Sequence, residues 1–282
     1  MKVNLEVHYD NLTVKEYLKE INFSQKLYKA IKNTGGELYL NHHQFNNWQK
    51  LKKGDLLTLV LPKETVGDNI TPVSMQLDIV YEDDFMLIIN KPKDIAVIPT
   101  KKHFDKSLAN GIAYYYKDHQ IESNIHFVNR IDAATTGLLI LAKSRYIHYV
   151  LTKDLKNSVE RRYLAKVGGI LEHPSGTINQ KIAVKAKPSI KRVVREDGDD
   201  AITHYQVIAV EDGNTIVEVL LETGRTHQIR VHFSSIQHPI IGDKIYGSGK
   251  DTMFLHSYKI QLMHPITNKQ VEIINYPDWF KR

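Results

Sequence analysis

The chain has 282 residues, 42% of them hydrophobic, which is enough apolar material for one large packed domain or for one large and one small domain. Lysine and arginine (38) exceed aspartate and glutamate (32), and the net charge of +6 fits a polyanionic partner, although many soluble proteins are as basic. The absence of cysteine excludes disulfides, thiolate nucleophiles and cysteine-ligated zinc or iron–sulfur clusters. No apolar run resembles a signal peptide or a membrane span, so we expect a cytosolic protein that does not bind membranes.

The first part of the chain, residues 1–62, is predicted to form a small separate module. Thr13, with Glu16 three residues later, has the pattern of a helix N-cap with a capping box. Apolar spacing and the Gly35-Gly36 break then predict, in order, a helix from 14 to 18, a helix around 27–31, and strands at 38–40 and 56–61. Residues 63–75 carry no periodicity and several breakers, which is typical of a linker.

The remainder, residues 76–282, has a mixed pattern that is rich in strands. Apolar runs and alternation predict strands at 77–81, 85–89, 125–128, 138–142, 160–167, 202–210 and 215–221, and a final strand from 255. Ser107, Ser144 and Thr226 are predicted helix N-caps. This region is therefore predicted to be one domain that combines helices with a many-stranded sheet.

A polar loop of small residues, 129–137, separates two apolar runs that are predicted to be buried strands. Such a loop is a rigid place from which to present side chains, and it carries Arg130 and Asp132 two residues apart. Taken alone, this pair would be interpreted as an ordinary ion pair within a loop. The wider sequence around it favours a functional interpretation.

The loop sequence Arg130-Ile131-Asp132, with Thr135-Thr136-Gly137-Leu138-Leu139 after it, resembles the catalytic loop of the RluA-type pseudouridine synthases, commonly His-Arg-Leu-Asp-Arg-x-Thr-Ser-Gly-Leu-Leu. Further segments resemble motifs of that family in the expected order, at 81–92, 161–167, 223–232, 238–247 and 255–265. Asn129 stands where the family usually has His, and Ala133-Ala134 stand where it usually has Arg-Asp. These departures lead us to expect altered RNA contacts or substrate choice.

The resemblance implies a catalytic domain of the α+β class, with a mixed, mainly antiparallel sheet of the pseudouridine synthase type. It also implies isomerisation of uridine without cofactor or metal, and the chain has no nucleotide-binding glycine motif. By the same resemblance, Asp132 is the catalytic carboxylate and Arg230 pairs with it. Tyr163 stacks on the target uracil, and Arg130 fills the space left by the flipped nucleotide or holds the flanking phosphates.

Other residues are predicted to bind the RNA. Four lie in the matched motifs: Thr135, Arg225, His227 and Gln228. The stretch 181–195 is strongly basic and is interpreted either as a lysine-rich edge hairpin or as an RNA contact through Lys187, Lys191 and Arg192. The spacing of His227 and His232 does not match a metal site, and no metal is expected.

The N-terminal module resembles the S4-like RNA-binding domain, a small α/β domain, on the order of its elements and on the segment 52–59. The expected substrate is structured RNA, with 23S rRNA favoured by this S4-like module and tRNA as the alternative, and a monomer is expected. A catalytically inactive RNA-binding protein of the same fold is the second hypothesis. A glycoside hydrolase ranks last, because it needs two acting carboxylates and the loop supplies one.

Overall fold

The computed structural model describes residues 1–21, 23, 25–33, 35–44, 48–100, 104–153, 155–186, 190–249 and 252–281. Its N-terminal part contains β1 (Lys2–Glu6), α1 (Val14–Glu20), α2 (Gln25–Asn33), β2 (Glu37–Leu40), β3 (His43–Gln44) and β4 (Leu56–Val60). The strands form an antiparallel sheet in the order β1-β4-β2-β3. The predicted capping box is confirmed, because the Thr13 side chain accepts from Glu16 N and the Thr13 N–H donates to Glu16 Oε2 at 2.7 Å. Strand β1 was not predicted, although Val3 and Leu5 alternate with polar residues.

A ten-stranded sheet dominates the rest of the chain. Its strands are β5 (Ile79–Glu82), β6 (Met86–Lys91), β7 (His126–Phe127), β8 (Thr136–Ala142), β9 (Val159–Val167), β10 (Ser175–Asn179), β13 (Ile202–Glu211), β14 (Asn214–Leu221), β15 (Leu255–Met263) and β16 (Gln270–Ile274). The main order is β10-β13-β14-β9-β15-β8-β6-β5, with β16 beside β15 and β7 beside β8. The expected mixed, mainly antiparallel sheet is confirmed, because β8 and β15 pair in parallel while the other described pairings are antiparallel.

Four helices and a small hairpin complete the described part of this region. They are α3 (Leu108–Asp118), α4 (Arg145–Lys153), α5 (Leu155–Ser158), β11 (Ile182–Val184), β12 (Arg192–Val194) and α6 (Gln228–Ser235). Ser107 caps α3, and Ser144 accepts from Ile147 N at 3.2 Å at the start of α4, as predicted. No helix in the described ranges is long and apolar enough to span a membrane.

The parallel junction of β8 and β15 depends on Gly137. This residue has φ +105°, and a Cβ built on it would lie 2.3 Å from the Ser257 carbonyl oxygen. Only glycine allows such a close approach of two backbones. The junction brings β15 beside the loop that precedes β8, where Asp132 lies.

One hydrophobic cluster joins the N-terminal sheet to the larger one. It includes Phe23 and Leu59 from the N-terminal part together with Ile88 and Tyr146. The rings of Phe23 and Tyr146 are stacked with centroids 4.8 Å apart. A second cluster lies on the other side of the large sheet, under α3 and α6. The division of the chain at residues 62 and 76 remains a prediction, and apolar packing crosses it.

Candidate active site

A cavity of about 710 Å³ opens between the loop after β7, the middle of β9 and the segment that joins β14 to α6. Among the residues that line it are Arg130, Asp132, Thr135, Tyr163, Arg225, His227, Gln228 and Arg230. The structure thus brings together eight of the residues that the sequence singled out, from segments far apart in the chain. Their roles in the reaction remain predictions.

Asp132 is held by Arg230 in the wall of the cavity. Arg230 Nη1 donates to Asp132 Oδ2 at 2.8 Å, and the carboxylate side chain is 24% exposed. On its other edge Arg230 donates to Asp243, from Nε to Oδ2 at 2.7 Å and from Nη2 to Oδ1 at 2.8 Å. Burial alone would lower the pKa of Arg230, but the bonds to Asp243 and Asp132 raise it above its usual value. Arg230 is therefore a fixed cation beside Asp132.

Asp243 is completely buried. Its carboxylate accepts hydrogen bonds from Arg230 and from the N–H groups of Ile245 and Tyr246, and so fixes the position of Arg230. Burial raises its pKa, but the hydrogen bonds and charge of Arg230 and the N–H groups of Ile245 and Tyr246 outweigh burial and hold the pKa below its usual value. A buried carboxylate with this many donors stays ionised at neutral pH. The predicted pairing of Arg230 with Asp132 thus depends on a third residue.

Lys91 anchors the backbone of the loop that carries Asp132. This lysine is fully buried, and its Nζ donates to the carbonyls of Pro92 (2.7 Å), Ile95 (3.1 Å) and Ala133 (2.9 Å). Burial lowers the pKa of Lys91 to about 8, an effect that the charge of Asp132 opposes. Lys91 belongs to the matched motif at 81–92, and its contacts show that this segment supports the Asp132 loop.

Asn129 anchors the same loop at its start. It is 4% exposed, and its Oδ1 accepts from Ile140 N at 2.8 Å. The residue therefore joins the loop to β8 and does not face the cavity. The expectation that this departure from the family pattern alters an RNA contact finds no support in its position.

His227 lies beside Asp132 in an unusual backbone conformation. The prediction that Thr226 caps α6 was wrong: His227 is the N-cap, with φ +60°, and no side chain caps the helix. Instead, Gln228 organises the segment, because its Oε1 accepts from Arg225 N at 2.9 Å and from Thr223 Oγ1 at 2.8 Å. His227 Nε2 lies 3.8 Å from Asp132 Oδ2. Burial lowers the pKa of His227 despite the opposing charge of Asp132, which favours a neutral imidazole.

Tyr246 links His227 to the basic hairpin of β11 and β12. Its hydroxyl lies 2.8 Å from His227 Nδ1 and accepts from Arg192 N at 2.8 Å. Lys191 Nζ lies 5.4 Å from the centre of the Tyr246 ring. Neither Lys191 nor Arg192 lines the cavity; both contact Tyr246, which in turn contacts His227 of the cavity wall. Lys187, also predicted to bind RNA, lies outside the described residues.

Tyr163 forms an apolar wall of the cavity with Ile229 and Leu255. It is 4% exposed and lies opposite Ser257 of β15 in the sheet. Burial raises the pKa of Tyr163, partly offset by the charge of Arg161, so the phenol is protonated at neutral pH. An aromatic ring in an apolar recess is suited to stacking on a planar base.

The remaining predicted residues differ in exposure. Arg130 is exposed at the cavity mouth, whereas Thr135 is 2% exposed. Arg225 is partly exposed and donates from Nε to the Asp200 carbonyl at 3.0 Å. Gln228 is 3% exposed and fully engaged with the protein, so its contacts support the loop and leave little for a ligand.

A second cavity, of about 590 Å³, meets the first at Asp132. The two share Asp132, Ala133, His227 and Arg230, and the second is also lined by Lys93 and Lys244. Asp132 is therefore accessible from both sides. Among the described residues, no group of three His, Asp or Glu side chains could hold a metal ion.

Sequence reasoning missed three residues of this site. Asp243 and Tyr246 stand in a matched motif, where the Gly-Asp pair was a usable signal, but no role was assigned to them. Arg161 is the first residue of the matched motif at 161–167, but no role was assigned to it, and a buried charge on the apolar face of that strand could have drawn attention to it.

The chain is similar to known pseudouridine synthases along most of its length. The family model for RNA pseudouridylate synthase matches residues 85–235. The uncharacterized RNA pseudouridine synthase YjbO of Bacillus subtilis is 39% identical over 264 residues, which are 92% of this chain and 93% of that protein. The ribosomal large subunit pseudouridine synthase D of Haemophilus influenzae is 36% identical over 217 residues, 71% of this chain and 67% of that protein.

The fold agrees with these matches. The structure of human RNA pseudouridylate synthase domain containing 1 is similar with a TM-score of 0.61 and 25% sequence identity, over 75% of this chain and 88% of that one. The chain belongs to the RNA pseudouridylate synthase family. It is thus an isomerase whose reaction converts uridine in RNA to pseudouridine.

Proposed function

We propose that the chain converts specific uridines of 23S rRNA to pseudouridine, with Asp132 acting on a base that has been flipped out of the RNA and into the 710 Å³ cavity. The observation that carries this proposal is the position of Asp132. It lies where two cavities meet and is fixed by Arg230 at 2.8 Å.

The reaction is an isomerisation, and its atoms balance without a co-reactant. The N1–C1′ bond breaks with its electron pair on the uracil, the base turns, and C5 bonds to C1′. C5 then loses its proton, and N1, which carried none while it was bonded to the sugar, gains one. This chemistry needs a carboxylate that serves as nucleophile or proton acceptor, in a pocket that retains the free base. Arg230 holds Oδ2 of Asp132, and no hydrogen bond from a described residue engages Oδ1. Asp132 therefore has an oxygen available to the substrate.

The base would stack on Tyr163, which keeps the detached uracil in the cavity. Extrusion of a nucleotide from structured RNA costs a few kcal/mol, and contacts that replace the lost stacking lower that cost. Arg130, exposed at the mouth, would occupy the vacated position or contact the flanking phosphates. Tyr163 would also assist proton transfer at C5 as a relay: a protonated phenol accepts the C5 proton only as it passes on its own.

Two observations favour 23S rRNA as the substrate. A relative that is 36% identical is named as a ribosomal large subunit pseudouridine synthase. The N-terminal sheet with its two helices resembles an S4-like RNA-binding domain and is attached to the catalytic sheet by a continuous apolar cluster. A tRNA substrate is the alternative, and we expect the protein to act as a monomer in the cytoplasm.

The second candidate function is RNA binding without catalysis. Its motivation is the change from Arg-Asp to Ala133-Ala134 in the central loop. Ala133 contributes its carbonyl to Lys91, a contact that any residue could make. The geometry around Asp132 thus gives no reason for inactivity, and the synthase is favoured.

The test is a transcriptome-wide pseudouridine map of cells with the gene, without it, and with an Asp132→Asn copy. We expect one or a few sites in 23S rRNA to disappear on deletion and to remain absent in the Asp132→Asn cells. In vitro, the loss should be about a hundredfold or more. Asp118→Asn, at an exposed helix end, is the matched control and should restore every site. Lost sites confined to tRNA would move the substrate to tRNA, and an unchanged map would favour the inactive binding protein.

A further inference from the structure

Arg161 is a buried cation that has no role in the reaction proposed above. It is 7% exposed, and its Nε has no hydrogen-bond partner. Within the described part of the chain, no carboxylate forms an ion pair with it. A buried nitrogen without a hydrogen-bond partner costs about 1–3 kcal/mol, and a ligand in the cavity that Arg161 lines would give its guanidinium an acceptor.

The side chain lies in the wall of the 710 Å³ cavity. Its Nη1 lies 3.8 Å from the position that a Cβ on Gly224 would occupy, which places the guanidinium beside the segment that leads to α6. Arg161 and Tyr163 are two residues apart on β9 and share one face, roughly 7 Å apart along the strand. The two side chains also interact electrostatically. Burial raises the pKa of Tyr163, and the charge of Arg161 offsets part of that rise.

We propose that Arg161 donates a hydrogen bond to the C4 carbonyl oxygen of the uracil that stacks on Tyr163, and that this contact selects uracil over cytosine. The inference rests on the proposed function of the same cavity. A guanidinium has only donors. Uracil presents carbonyl oxygens at C2 and C4, whereas cytosine presents an amino group at C4, and two donors facing each other leave both unsatisfied.

A base carbonyl fits this position better than a phosphate does. Phosphates of the RNA backbone stay near solvent, and the cavity already offers them Arg130 and Arg225 at exposed positions. Arg161 is on the buried face of β9 beside the ring on which the base would stack. A deep donor next to a stacking platform is the arrangement that reads a base edge.

The experiment uses the full chain and a short RNA that contains the uridine identified by the pseudouridine map, with uridine, 2-thiouridine or 4-thiouridine at that position. Sulfur is a weaker acceptor than oxygen. For the wild type, the 4-thiouridine substrate should lower kcat/KM by about tenfold, which corresponds to the loss of one hydrogen bond to a charged donor, and the 2-thiouridine substrate should not. For Arg161→Met, uridine turnover should fall about a hundredfold, and the thio substrates should then react within about twofold of uridine.

Two control variants accompany this measurement. Arg161→Lys keeps the charge and should recover part of the activity. Arg162→Met removes the neighbouring arginine, which points to the other face of β9 and binds Glu160 at 2.6 Å, and should discriminate as the wild type does. Arg161→Met should unfold at the same temperature as the wild type or higher, because it removes an unpaired buried charge.

The outcomes separate this inference from the proposed function. A wild type that makes no pseudouridine overturns both. If the wild type is active but Arg161→Met keeps full turnover, or keeps the wild-type penalty for 4-thiouridine, the role of Arg161 alone is overturned.

Discussion

Arg230 is bound to Asp243 through two parallel hydrogen bonds, from Nε to Oδ2 at 2.7 Å and from Nη2 to Oδ1 at 2.8 Å. Such a bidentate pair fixes the plane of the guanidinium. The remaining nitrogen, Nη1, then points at Asp132 and donates to its Oδ2 at 2.8 Å. The orientation of the central carboxylate is thus set by a second carboxylate that does not line the first cavity.

Asp243→Asn should therefore impair both stability and reaction. The amide keeps the shape but removes the charge that compensates buried Arg230, and breaking a buried pair typically costs about 3–5 kcal/mol. We expect a loss of that order in the free energy of unfolding, measured with urea, and a clear fall in kcat. Asp199→Asn, whose partner Arg225 is 3.8 Å away at the surface, should change stability by less than about 1 kcal/mol. Equal effects of the two changes would contradict this role for Asp243.

Gly137→Ala should disrupt the junction of β8 and β15. A Cβ at Gly137 would lie 2.3 Å from the Ser257 carbonyl oxygen, so the two backbones must separate. Gly213→Ala is the matched control, because Gly213 also has a positive φ (+71°) but has open space around its Cβ position. Thermal unfolding should show a cost of about 1 kcal/mol for Gly213→Ala and a much larger one, or insolubility, for Gly137→Ala. Similar melting temperatures for the two variants would refute the close-contact argument.

Lys91 should make stability depend on pH in an unusual direction. Burial lowers the pKa of Lys91 to about 8 in the folded state, whereas an unfolded lysine has a pKa of about 10.4. Between these values the unfolded chain binds a proton that the folded chain does not, so this group makes the protein more stable as pH rises from about 8 to about 10. Below that window the buried ammonium is a cost.

Lys91→Met removes this dependence. Its free energy of unfolding relative to wild type should fall, by up to about 1.4 kcal/mol per pH unit, as pH rises through that window. Urea unfolding at pH 7, 8, 9 and 10 measures it, with exposed Lys93→Met as the control for losing a lysine charge. A relative stability that is constant, or that rises with pH, would be evidence against the lowered pKa.

Phe23→Ala tests the apolar connection between the two sheets. Phe23 is 6% exposed and stacks on Tyr146, and removing a buried Phe side chain usually costs about 3–5 kcal/mol. Phe104→Ala, where the ring is 67% exposed, should cost less than about 0.5 kcal/mol. We expect a single unfolding transition at a lower denaturant concentration than for the wild type. Two separate transitions would show instead that residues 1–62 fold independently of the rest.

Local sequence signals predicted local structure well. Thr13, Ser107 and Ser144 cap helices because the bonds involved span only three residues. Thr226 failed as a cap because Gln228 inside the helix already binds the preceding backbone, a competition that spacing does not show. The grouping of Asp132 with Arg230, which are 98 residues apart, followed from a motif resemblance and not from any local pattern.

What the sequence could not predict depends on pairings between distant segments. The parallel contact of β8 with β15 has no signature in either strand, and Gly137 acquires its meaning only when Ser257 is opposite. The position of Arg161 likewise depends on distant segments. Strand alternation predicts that it is on the same face as Tyr163, but only the folded sheet shows that this face is a cavity wall.

The contact between Lys91 and the Ala133 carbonyl affects which positions of the loop can change in evolution. A loop that is held through its main chain places no demand on the side chains at the anchoring position, so residues 133 and 134 can be replaced while Asp132 stays in place. Under the proposed function, substitutions there would change the surface that the loop presents to the RNA and leave the position of Asp132 unchanged. Single replacements at this point would therefore alter the choice of target and spare the proposed catalytic carboxylate.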